Sequence, residues 1–155
     1  YTSGWADSDG GTPLPQVIWD ETPMTLARYP NDGYTYITKV YEAGRYDDKN
    51  TNPDAEMVGM EIGISDDRIS NWVNAKEPWI FGYWYFDWSD MTTPIEAFDV
   101  AKKSIKTKYA TPFSVNTERP VYVYNMLEEL DAPGEWFYDK DSGELFVSFV
   151  RSSGC

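Results

Sequence analysis

The run WIFGYWYFDW at positions 79–88 constrains this chain more than any other segment. Seven of its ten residues are aromatic, three of them Trp. Rings at that density need apolar cover, and they fill the pleated faces of β-sheets well. Period-two alternation puts Ile80, Gly82, Trp84, Phe86 and Trp88 on one face. Trp79, Phe81, Tyr83, Tyr85 and Asp87 fall on the other. Neither face is plainly polar, so the segment reads as a strand covered on both sides, with Trp84 and Trp88 sharing a buried face. The rival reading is a platform for flat ligands such as sugar rings. On that reading carbohydrate is the partner, and Trp79, Tyr83 and Tyr85 are the first contact candidates.

The 155 residues are enough for one domain with its own core. A 41% hydrophobic and 17% aromatic content is not that of a disordered tail. Thirteen Lys and Arg stand against 26 Asp and Glu, a formal charge of −13. That excess repels nucleic acid and anionic lipid, so neither is expected as a partner. No apolar run approaches the length of a membrane span. The absence of His excludes a Ser-His-Asp triad, a Cys-His pair and any His-ligated metal. The single cysteine, Cys155, cannot form an internal disulfide or a zinc site. DSDG at 7–10 opens like a calcium loop but lacks a bidentate Glu at its twelfth position. No metal or cofactor is therefore expected.

Residues 1–23 read as an arm or linker rich in Gly, Pro, Ser and Asp, residues 24–150 as the β domain, and 151–155 as a tail. Strand signals occur at 34–41, partly at 57–64, at 79–88, twice within 95–107, at 109–116 and at 121–124. A polar loop spans 45–53. EWFYD at 135–139 and ELFVSF at 144–149 flank a turn in which Gly143 suits a left-handed conformation, giving a hairpin. A short helix is predicted over 65–73, capped by Ser65 and burying Ile69, Trp72 and Val73 on one face. A second opens at Asn125, with Glu128 three residues on as in a capping box. The fold class is all-β, a small sandwich or barrel with one or two short helices.

The C-terminal half carries a longer pattern. The run YNMLEELDAPGEWFYD at 124–139, followed by SGELF at 142–146, resembles a segment of secreted bacterial proteins with right-handed parallel β-helices related to glycoside hydrolases. ARYPN at 27–31 and GYWYFDW at 82–88 are similar to two further segments of that family, in the same order. Phe81 departs from the family pattern, which often has His or a small polar residue there. The resemblance covers roughly residues 24–149. It implies a compact β domain inserted early in a β-helix, packed on it beside the sugar cleft, and an extracellular or cell-surface location. It treats Trp84, Asp87, Trp88, Glu128 and Trp136 as structural motif residues. It brings no catalytic residue, because the family's acting carboxylates lie on the β-helix coils.

Glycoside hydrolysis needs two carboxyls roughly 5 to 10 Å apart across a cleft. Those nearest the aromatics are Asp87, Asp90, Glu128, Glu129, Glu135 and Asp139. Glu128 and Glu129 are adjacent and point apart on a helix. Asp87 reads as a buried acceptor, Asp131 as a turn acid, and Asp139, Asp141 and Glu144 as solvated. The expectation is a non-catalytic accessory domain of a carbohydrate-active β-helix protein. The alternatives are a free-standing carbohydrate-binding module, a carboxylate glycosidase and a structural spacer.

Overall fold

The structure is a computed structural model that describes residues 16–46 and 56–149. The DSDG segment, most of the polar loop at 45–53 and Cys155 lie outside the described residues. The strands in chain order are β1 (Ile18–Trp19), β2 (Thr22–Pro23), β3 (Thr25–Leu26), β4 (Arg28–Tyr29), β5 (Thr35–Glu42) and β6 (Glu61–Ile64), followed by helix α1 (Ile69–Trp72). Next come β7 (Trp79–Gly82), β8 (Met91–Asp99), β9 (Ser104–Thr107), β10 (Pro120–Tyr124), a 3-10 turn at Leu127–Glu129, β11 (Glu135–Asp139) and β12 (Glu144–Val147). No described helix is long and apolar enough to cross a membrane.

The protein is all-β, and its centre is a closed barrel of six antiparallel strands. Neighbours around it run β10, β5, β6, β9, β8, β7 and back to β10. Closure needs bent strands, and register shifts interrupt β5 twice and β8 once. One edge of β10 pairs wholly with β7. The other is shared, with Pro120 and Val121 on β5 and Val123 and Tyr124 on β4. A three-stranded sheet, β12-β11-β3, lies outside the barrel. Residues 16–23 form a small hairpin of β1 and β2, with Val17 packed against the outer cluster.

Alternation along β10 explains how the two layers share a wall. Val121 and Val123 point into the barrel core, beside Ile37, Ile62, Ile80 and Ile105. Tyr122 and Tyr124 point outward to Leu26 and Trp136. β7 does the same, with Ile80 inward and Trp79 and Phe81 outward. The expected double cover of the aromatic strand thus holds for its first four residues.

The strand stops at Gly82, so the alternation expected through Trp88 ends there. Trp84 turns back across Gly82: a Cβ on that glycine would sit 3.1 Å from the Trp84 ring and 2.8 Å from Val121. Beyond it the chain is an exposed loop, and Trp88 is 70% accessible rather than part of the core. The helix also differs. Ser65 caps nothing, Asp66 Oδ1 accepts the Arg68 N–H in a turn, and α1 is one turn that buries Ile69 and Trp72 but leaves Val73 exposed. Asn125 does not cap either. It takes a left-handed backbone (φ +62°), and its side chain donates to the Glu77 carbonyl. Residues 109–116 form no strand; they turn at Ser114. The hairpin of β11 and β12 forms as expected, with Gly143 at φ +74°.

Gly59 marks where two chains are drawn together. Met60 N–H donates to Thr107 Oγ1, the Thr107 N–H donates to Met60 O, and a Cβ on Gly59 would lie 1.7 Å from Thr107 O. Backbone cannot yield as a side chain can. Gly59→Ala is expected to cost about 3 kcal/mol, the upper part of the usual overpacking range, in urea unfolding. A cost under about 0.5 kcal/mol would show that the strands separate freely.

Candidate functional site

The motif residues of the C-terminal run meet those of the ARYPN segment around one buried acid, Glu129. Its side chain is fully buried, and Oε1 accepts the Trp72 indole N–H at 2.6 Å. Oε2 accepts no hydrogen bond but lies 3.3 Å from Arg68 Nη2. Arg68 also bonds Asp131 Oδ2 at 2.7 Å, and Asn31 donates to Asp131 Oδ1. Arg68 covers the Tyr29 ring, whose hydroxyl bonds Asp66. Burial and that carboxylate push the Tyr29 hydroxyl up to about 12. Glu135, also buried, accepts backbone N–H groups from Ala132, Asp131 and Arg28.

Burial raises the Glu129 and Glu135 carboxyls above their ordinary values, against the hydrogen bonds that favour the charge. Burial also acts on Asp131, but there the bonds from Asn31 and Arg68 prevail and hold the carboxyl low. These acids tie α1, the ARYPN turn and the β10–β11 connection together. Glu129 and Glu135 are sealed from any substrate. Glu128, named as a structural motif residue, is exposed on the 3-10 turn, and its neighbour Glu129 is the one turned inward. Asp131 does more than close a turn, since it joins three segments. Asp139 pairs with Lys76 at 3.0 Å and accepts the Asp141 and Ser142 N–H groups of the hairpin turn.

The loop after β7 makes the second feature. Phe86 and Trp88 stack with centroids 5.1 Å apart and planes 13° apart. Phe113, from the segment before β10, stands edge-on 5.5 Å from both rings. Tyr85 meets Phe86 at 4.7 Å. All four rings are exposed. Beside them a cavity of about 110 Å³ is lined by Trp84, Tyr85, Ser89, Asp90, Thr111 and Phe113, among others. Asp87, expected to be buried, is 93% exposed and pairs with Arg119 Nη2 at 2.7 Å. It sits outside because the strand has already ended.

The sugar-contact candidates separate. Tyr85 lies on this ring cluster. Tyr83 is half-buried on the barrel wall, edge-on to Phe81 at 5.4 Å and to Tyr34 at 6.3 Å. Trp79 packs half-buried into the outer cluster with Tyr124 and Trp136. Trp84 is buried in the barrel and donates its indole N–H to Met91 O at 2.9 Å. Sequence reasoning missed Phe113, and only tertiary contact joins it to residues 85–88. A smaller cavity of about 50 Å³ adjoins Asn125, whose buried Oδ1 accepts no hydrogen bond; ion pairs of Lys76 with Asp139 and Lys140 with Glu77 flank it. Among the described residues no cluster of three or more acidic or cysteine side chains is placed to hold a metal.

Comparison with protein-family models and with curated proteins finds no match. Among solved structures, one described as a glycoside hydrolase superposes with a TM-score of 0.59 at 18% sequence identity. The match covers 92% of this chain and 25% of that one, so this chain spans about a quarter of the length of the hydrolase. The likeness is one of fold: nearly the whole of this body is similar to a part of a glycoside hydrolase.

Proposed function

We propose that this chain is a non-catalytic accessory domain of a larger carbohydrate-active protein, inserted in a secreted bacterial parallel β-helix and helping to shape its sugar cleft. The observation that carries the reading is the asymmetry of the structural match. Almost all of this chain is used, against a quarter of the hydrolase. One feature of the body supports it. Of the carboxylates nearest the motif aromatics, Glu129 and Glu135 are sealed and Asp87 and Asp139 are engaged in ion pairs, which leaves Asp90 and Glu128 open to solvent.

The isolated chain is therefore expected to leave aryl glycosides and plant or host polysaccharides intact when product sugars are assayed. The readout must separate this domain from a contaminating hydrolase. Turnover that disappears in Asp87→Asn or Asp90→Asn, with the melting temperature unchanged, would replace the accessory reading with a carboxylate glycosidase.

A further inference from the structure

We infer that the ring cluster of Tyr85, Phe86, Trp88 and Phe113, with the adjoining cavity, is a binding site for an uncharged glycan chain. Of its rings only Tyr85 was among the expected sugar contacts, since period-two alternation had assigned Trp88 to the core.

Exposure is the first argument. Trp88 is 70% accessible, Phe113 44%, Tyr85 40% and Phe86 37%, and every one of these rings touches another. Scattered exposed apolar residues need no explanation, but contiguous rings beside a cavity mark an interaction surface.

Rigidity is the second. The loop is bonded across to the segment before β10. Asn116 N–H donates to Trp84 O at 2.9 Å, Tyr83 N–H to Pro120 O at 3.1 Å, and Arg119 Nε to Tyr83 O at 2.7 Å. The buried Trp84 ring anchors it from below. A surface so held loses little freedom when a ligand lands.

The third argument concerns which ligand fits. A pyranose offers an apolar C–H face and a rim of hydroxyls. Here the Tyr85 and Phe113 rings line the cavity with Ser89, Asp90 and Thr111, and Phe86 and Trp88 continue the apolar surface beside it. Thr111 already bonds the Ser114 carbonyl, but a purely apolar ligand would leave Ser89 and Asp90 without partners. Charge narrows the class further. Arg119, the cation bonded to this loop, is already paired with Asp87, Asp90 is exposed, and the chain carries −13 overall. Uronic-acid and sulfated chains would be repelled.

Position is the fourth. Register places the loop at the Gly82 and Val121 end of the β7–β10 pair. The outer sheet packs by the Trp79 and Tyr124 end through Leu26 and Trp136, and leaves the rings uncovered. The inference does not rest on the accessory reading, because a free-standing module would present the same surface.

Isothermal titration of the isolated protein with cello-, xylo-, manno- and galactohexaose tests it, with polygalacturonate as the anionic control. Saturable binding of at least one neutral hexasaccharide is expected, with none for polygalacturonate. Trp88→Ala should weaken that binding by at least about tenfold, a loss typical of a central aromatic anchor, without moving the melting temperature. Tyr34→Ala, in the ring stack on the barrel wall, should leave it unchanged. Absence of binding to every neutral hexasaccharide, or binding that survives both Trp88→Ala and Phe113→Ala, would overturn the inference. So would self-association abolished by Trp88→Ala in sedimentation, which would make this a protein-docking surface. None of these outcomes bears on hydrolysis, so the two proposals fail separately.

Discussion

Glu129→Ala is expected to destabilise the protein by about 3–5 kcal/mol in equilibrium urea unfolding, from the void left by a buried side chain together with an orphaned buried donor. The side chain is inaccessible, and its loss leaves the Trp72 indole N–H without an acceptor and a void beneath α1. Arg68 keeps Asp131, so the damage stays on the Trp72 side. Glu129→Gln retains an acceptor for Trp72 but turns donors toward Arg68, and about 1–2 kcal/mol is expected. The pH dependence separates packing from charge. The folded carboxyl is raised by burial, so Glu129 contributes its full stability below its unfolded value of 4.5, and loses part of it as pH rises through the higher folded value. The gap between the parent and Glu129→Gln should therefore be widest in acid and narrow toward neutrality. Glu61, held low by Ser104 and Lys102 outside this network, weakens both proteins equally as pH falls and cancels in the difference. A gap that widens with rising pH would mean that the Arg68 pair, not desolvation, governs the site.

What sequence could and could not reveal follows from the range of the forces involved. The VYVY run of β10 is legible because its alternation meets two different apolar layers, valines to the barrel and tyrosines to the outer sheet. The β11–β12 hairpin is legible because Gly143 supplies a local left-handed turn. The end of β7 is not. Seven rings in ten residues say that burial is needed somewhere, but Gly82 ends the strand because Trp84 folds over it and Tyr83 N–H pairs with Pro120 O. Both are tertiary events with no trace in the local pattern. Likewise the adjacency of Glu128 and Glu129 shows that they diverge. Which one turns inward is decided by Trp72 and Arg68, supplied by a distant helix. The ring cluster was hidden for the same reason, since Phe113 reaches Trp88 only in the folded barrel.

Trp84→Ala and Trp88→Ala, two substitutions four positions apart, are expected to behave in opposite ways. Trp84 is 1% exposed, packs over Gly82 in the barrel core, and bonds the Met91 carbonyl. Its truncation should cost about 3–5 kcal/mol, the range for a buried large aromatic, because Gly82 opposite has no side chain to close the void. The orphaned Met91 carbonyl adds to that loss. Trp88 is 70% exposed and bonds nothing in the core. Its truncation should stay within about 0.5 kcal/mol, as for an ordinary surface change. Paired urea melts decide it. Comparable losses at both positions would restore the continuous buried strand that alternation implies, and would remove the open ring surface with it. The expected asymmetry has a further consequence. Trp84 underlies the cavity that Ser89, Asp90 and Thr111 rim, so Trp84→Ala should also loosen the loop that carries Trp88. Hydrogen exchange at the Asn116 and Tyr83 amides, which bond across that loop, should speed up in Trp84→Ala and stay at the parent rate in Trp88→Ala.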